Sequence, residues 1–157
     1  MKFQPGEISD VVVRPLKKFS DERGWLLEFY REDEVPAEFH PVMGYMSMTR
    51  PGVARGPHEH RDQADYFAFY TSTFRVYLWD TREGSRTRGH RQVIEAGEEN
   101  PVALIVPAGV VHAYRNVGTA DGVIINVPNR LYAGSGKKEP VDEIRHEERA
   151  GSEFLLD

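Results

Sequence analysis

Cysteine is absent from the 157 residues, so disulfide cross-links, thiolate metal sites and cysteine nucleophiles are all excluded. No apolar run approaches the length of a membrane-spanning helix. The opening MKFQPGEISDVVVRPLKKF carries neither an apolar core segment nor a small-residue cleavage site. An excess of basic residues is missing as well, since 20 Lys and Arg face 25 Asp and Glu for a formal charge of −5. Nucleic-acid binding asks for a basic face, so no nucleic-acid partner is expected. Together these absences predict a soluble, cytoplasmic protein with no membrane partner. The basic residues are mostly arginine, whose planar fork suits a small phosphate or carboxylate ligand.

Hydrophobic residues make up 39% of the chain, enough for one core, and 14 glycines and 10 prolines punctuate it. Its apolar runs are short and bounded by Gly, Pro, Asp and Asn. That pattern predicts strands at Val11–Val13, Trp25–Tyr30, Val42–Met48, Ala64–Tyr70, Phe74–Trp79, Arg91–Glu95, Val102–Val106, Val111–Asn116 and Gly122–Val127. Along Phe74–Trp79, Phe74, Val76 and Leu78 face one way while Arg75, Tyr77 and Trp79 face the other, so both faces can be covered. The aromatic run Tyr66–Tyr70 puts one face in the core, and Tyr66 and Tyr70 are expected to line a cavity on the other. So many short strands in a single domain predict an all-β jelly-roll barrel, whose closure protects edges and whose interior can hold a ligand. Residues 1–134 form that barrel in this reading. Residues 135–157, rich in charge, read as a C-terminal tail or short helix.

Two stretches carry chemistry. The first runs Gly52-Val-Ala-Arg55-Gly56-Pro57-His58-Glu59-His60, followed by Gln63-Ala-Asp65; the second is Pro107-Ala-Gly109-Val-Val-His112-Ala-Tyr114-Arg-Asn116. Residues two apart on a strand face the same way, which puts His58 and His60 on one face. A glycine, five residues, His-x-His and an acid, followed later by Pro-x-Gly-x-x-His-x-x-x-Asn, resemble the two cupin motifs and imply a cupin-type jelly-roll β-barrel. His58, His60, His112 and Asp65 also form a set able to hold a divalent transition metal. A metal-dependent cupin oxygenase or isomerase is therefore one alternative reading.

A narrower resemblance rests on further segments. Phe19-Ser-Asp21-Glu-Arg23-Gly24, with Glu28 following, Gly52-Val-Ala-Arg55-Gly56-Pro-His58, Asp80-Thr-Arg82-Glu-Gly-Ser85-Arg-Thr87-Arg-Gly89 and the Pro107–His112 turn are similar, in order, to the dTDP-4-dehydrorhamnose 3,5-epimerase family. The resemblance implies epimerisation of a nucleotide-linked 4-keto-6-deoxy sugar at C3, C5 or both, without metal or other cofactor. It implies that His58 is the base and Tyr132 the acid, and that Arg23, Glu28, Arg55, His60 and His112 contact substrate. A histidine is suited to removing a proton beside a ketone near neutral pH. The acid that would orient His58 falls, on this reading, among Asp142, Glu148 and Asp157. The chain departs from the family pattern at Pro57, His60 and Asp65, where leucine, glutamine and lysine are expected. A non-catalytic sugar-nucleotide-binding cupin is the second alternative. The resemblance also implies a homodimer whose N-terminal strand joins the partner's sheet.

Overall fold

Runs such as Asp65-Tyr-Phe-Ala-Phe69 and Val102-Ala-Leu-Ile-Val106 are rich in aromatic and β-branched residues, which fit a pleated surface better than a helix. The computed structural model describes residues 1–157. In chain order its strands are β1 (Gln4–Pro5), β2 (Val12–Pro15), β3 (Lys18–Asp21), β4 (Gly24–Leu27), β5 (Tyr45–Thr49), β6 (Ala54–Glu59), β7 (Asp65–Phe69), β8 (Thr73–Asp80), β9 (His90–Gly97), β10 (Val102–Val106), β11 (Val110–Asn116), β12 (Gly122–Asn126) and β13 (Ile144–Arg145). Helix is limited to 3-10 turns at Glu32–Glu34 and Ser135–Lys137, and no helix is long and apolar enough to cross a membrane.

A six-stranded sheet in the order β1-β9-β8-β11-β6-β13 faces a five-stranded sheet in the order β2-β10-β7-β12-β5, and β3 and β4 form a separate hairpin. Between the sheets lies a cluster that includes Phe67 and Phe69 of β7, Phe74, Val76 and Leu78 of β8, Leu104 of β10 and Tyr114 of β11. The central strands are covered on their outer faces too. Tyr66, Ala68, Ala103 and Ile105 pack under Leu16 and Phe39, while Tyr77, Trp79, Val111 and Ala113 pack under Phe154. Burial on both faces explains why these strands read as unbroken apolar runs rather than clean alternations.

The nine expected strands are all present, with ends shifted by a few residues. Strands β1, β3, β6 and β13 had no counterpart in the apolar pattern. The Tyr66 expectation is corrected: Phe67 faces inward, and Tyr66 points to the outer face, where its hydroxyl meets Arg14 Nη2 at 2.8 Å and the Phe29 carbonyl. Residues 135–157 lie against the barrel, with Ile144 and Arg145 pairing antiparallel to Glu59 and His58 of β6. The N-terminal strands pair within their own chain, β1 with β9 and β2 with β10.

Candidate active site

The cavity between the sheets, about 660 Å³, is walled by Tyr45 and Ser47 of β5, Arg55, Gly56 and His58 of β6, Phe67, Tyr114, the 130–134 loop and the 139–147 segment. Its key strand is β6, and the sequence Arg55-Gly56-Pro57-His58 sets its shape. His112 pairs with His58 and Tyr114 with Arg55, so three residues of β6 span what two of β11 do: a bulge. Strict alternation would turn Arg55 away from His58. The extra residue brings both to the cavity wall. Gly56 is needed at the bulge because its φ is 80° and a Cβ there would come within 2.6 Å of the His112 carbonyl oxygen.

The three histidines converge, but His112, expected to contact substrate, is buried at 3% exposure behind the cavity wall that His58 and His60 line. The His58 and His112 rings stand 4.5 Å apart in an edge contact, and His60, just past the end of β6, is 5.7 Å from His58. Behind them Asp65 is 2% exposed. Its Oδ1 accepts from Gln63 Nε2 at 2.9 Å and Asn126 Nδ2 at 2.8 Å, while its Oδ2 lies 3.3 Å from both His60 Nε2 and His112 Nε2. The Nδ1 of each imidazole donates to a backbone carbonyl, of Asp142 for His60 and of Val110 for His112. Burial alone would raise the Asp65 carboxyl, but contact with His112 and His60 holds it well below the usual carboxylate range. Burial likewise opposes charge on His60, yet Asp65 and the Asp142 carbonyl outweigh it and raise the imidazole above its ordinary value. His58 has no such partner. Burial, with His112 and His60 adding, pushes it down to about 2, leaving an unprotonated imidazole at neutral pH.

The acid nearest His58 is Glu143, whose Oε1 stands 3.8 Å from Nδ1. This corrects the expected set. Asp142 accepts from the amides of Arg61, Asp62 and Gln63 and so fastens the loop after β6; Glu148 pairs with Arg145, and Asp157 with Arg91. Arg55 donates to Thr49 Oγ1 and the Met48 carbonyl, and no carboxylate pairs with it. Tyr132 also lines the cavity and is 54% exposed. Arg23 and Glu28 do not line it. Arg23 pairs only with Asp21 beside the β3–β4 turn, Glu28 pairs with Arg31, and the hairpin hydrogen-bonds to neither sheet, packing Trp25 and Leu27 on the outer face of the five-stranded one.

The ligating nitrogens of His58, His60 and His112 lie within 4.8 Å of one another. With Asp65 they are chemically fit for a divalent transition ion, which when bound polarises a carbonyl oxygen. Within the chain itself, Asp65 Oδ1 accepts from Gln63 and Asn126, while His112 Nε2 is buried with no hydrogen-bond partner.

Residues 5–138 match the family model for dTDP-4-dehydrorhamnose 3,5-epimerase. The chain belongs to that epimerase family. It is 41% identical over 125 residues to a spore coat polysaccharide biosynthesis protein of Bacillus subtilis, covering 80% of this chain and 82% of the other. A probable low-salt glycan biosynthesis epimerase of Haloferax volcanii is 37% identical over 126 residues, 80% of this chain and 81% of its own. The fold is shared with a dTDP sugar isomerase from Desulfovibrio desulfuricans at a TM-score of 0.79 and 20% identity, over 96% of this chain and 91% of that one.

Within this epimerase-family chain, two of the motif residues, Asp80 and Asn116, are held in hydrogen bonds that tie the fold together. Asp80 is buried and accepts from Arg82, Ser85 Oγ and Thr87 Oγ1, while Arg82 reaches on to the Ser9 carbonyl, tying the N-terminal turn to the β8–β9 loop. Asn116, also buried, bonds Thr49 O, Ala120 O, Gly118 N and Ser72 Oγ, closing the turns at the end of the barrel away from His58. The sequence reading missed Tyr45, Tyr114 and Glu143. Tyr114 was within reach of it, being two past His112 on the same strand. Glu143 was not, because only the tertiary pairing of β13 with β6 brings it in.

Proposed function

We propose that this chain epimerises a dTDP-linked 4-keto-6-deoxy sugar at a carbon next to the ketone. The observation that carries the reading is His58 on the wall of a sugar-sized cavity, with Glu143 Oε1 3.8 Å from one ring nitrogen and the other nitrogen free. His58 takes the proton from the carbon beside the ketone, leaving an enolate. Glu143, across from Nδ1, favours the tautomer with its hydrogen there and stabilises the imidazolium that forms. Tyr132 returns a proton from the opposite side of the ring, which inverts the centre. Arg55, whose charge no carboxylate offsets, binds the diphosphate and supplies affinity away from the reacting carbon.

The protein acts in the cytoplasm as a homodimer in this reading. Phe19, Trp25 and Leu26 on the β3–β4 hairpin are each more than half exposed, and a second copy would cover them. The hairpin would then carry Arg23 and Glu28 toward the partner's substrate. Replacing His58 by Asn tests the reading: the variant should bind dTDP yet exchange no deuterium beside the ketone, and exchange at the wild-type rate would remove His58 from the chemistry.

A further inference from the structure

Enolisation moves charge onto the ketone oxygen, and a donor held at that oxygen gives a site much of its rate. Most donors on the cavity wall are already committed. Arg55 bonds Thr49 and Met48, and His60 spends its ring nitrogens on Asp142 and Asp65. The Gln63 amide faces Asp65 and His60, and the Tyr114 hydroxyl shares a 3.1 Å hydrogen bond with Ser47 Oγ.

Tyr45 differs. Its hydroxyl oxygen accepts from Asn126 Nδ2 at 2.9 Å, and its own O–H meets no acceptor in the chain. Asn126 is fully buried and held at both ends of its amide, donating to Asp65 Oδ1 at 2.8 Å and accepting the Tyr66 amide at 3.1 Å. A phenol fixed through Asn126 and Asp65 needs little reordering when a substrate arrives. Tyr45 rises from β5 in the five-stranded sheet, whereas His58 stands on β6 of the other. A sugar ring between the sheets therefore meets the base from one wall and this phenol from the opposite one.

We propose that Tyr45 is a catalytic hydrogen-bond donor to the ketone oxygen, stabilising the enolate that forms as His58 takes the neighbouring proton. The proposal rests on the epimerase reading above. In this step the C–H bond breaks and its proton goes to the free ring nitrogen of His58. The C–H electron pair becomes the new C=C bond, and the carbonyl π pair moves to the oxygen that faces Tyr45. Tyr45 keeps its own proton. Desolvation, pushing its hydroxyl up to about 12, keeps it a donor throughout the neutral range. The returning proton remains the task of Tyr132.

The test is Tyr45→Phe, which deletes one oxygen and keeps the ring. Deuterium exchange beside the ketone of dTDP-4-keto-6-deoxyglucose should slow by about 10²-fold in kcat, the loss typical of removing one oxyanion donor. KM, dTDP affinity and the thermal midpoint should stay near wild type. A variant that exchanges at the wild-type rate overturns the proposal and leaves the epimerase reading standing. Weaker dTDP binding with unchanged kcat also overturns it, by giving Tyr45 a binding role alone. Absence of exchange in the wild-type protein removes both.

Discussion

Glu143 Oε1 lies 3.8 Å from His58 Nδ1, and both side chains are less than one-fifth exposed. The contact exists because Ile144 and Arg145 add a strand to β6 beside the histidine, so a residue far along the chain is delivered to the back of the base. Glu143 is a positioning residue in this account. Changing it to Gln should lower kcat by about 10²-fold with little change in KM, the size of effect expected from a small misalignment of a catalytic group. Glu143→Asp should recover part of the loss. Equal kcat in wild type and Glu143→Gln, from steady-state kinetics, would contradict the role.

The depressed imidazole of His58 makes a prediction about pH. Activity needs its neutral form, and burial with neighbouring His112 and His60 lowers its folded-state pKa far below the ordinary 6.5. The neutral base therefore survives as the pH falls through 6.5, and the acid limb of kcat/KM should lie well below pH 6. The same shift enters stability with a definite sign. The unfolded chain binds a proton near pH 6.5 that the folded chain refuses, so this group destabilises the fold progressively as the pH drops below 6.5. A kcat/KM profile with its acid limb at 6.5 would show an unperturbed histidine instead.

Asp80 should matter to stability and not to chemistry. It is buried beneath Arg82, Ser85 and Thr87 on the β8–β9 loop, away from the cavity wall. Asp80→Ala strands those donors and should cost about 3 kcal/mol, measured as a lower urea midpoint with the slope unchanged. Its kcat/KM at low temperature should match wild type. A large loss of activity in a fully folded variant would mean that this segment touches the substrate.

Much of the barrel was legible in the sequence, because strands buried on both faces, such as Val102–Val106, announce themselves as unbroken apolar runs. The strand that carries His58 was not, since Ala54-Arg-Gly-Pro-His-Glu59 holds little apolar surface and owes its extension to pairing with β11 and β13. Periodicity could not foresee the bulge at Gly56 and Pro57, so it gave no reason for Arg55 and His58 to share a wall. The family resemblance brought Arg55, His58 and Tyr132 to one cavity but also Arg23 and Glu28, which a single chain keeps on a separate hairpin. Spacing within a motif fixes neighbours along a strand; it carries nothing about which hairpin reaches which cavity. The Asp80 segment counted only toward the family resemblance, and its hydrogen bonds to Arg82, Ser85 and Thr87 serve the fold.

The central claim is that His58 enolises a nucleotide-linked ketone with no metal at the histidine cluster. Chelator-treated protein incubated in D2O with dTDP-4-keto-6-deoxyglucose tests it directly, with the C3 and C5 proton signals followed by NMR and bound metal measured by elemental analysis. The account predicts that deuterium enters C3, C5 or both at the same rate before and after chelation, and does not enter with His58→Asn. Exchange that disappears on chelation and returns with one equivalent of a divalent transition metal would contradict it, and would make His58, His60, His112 and Asp65 the ligands of that ion.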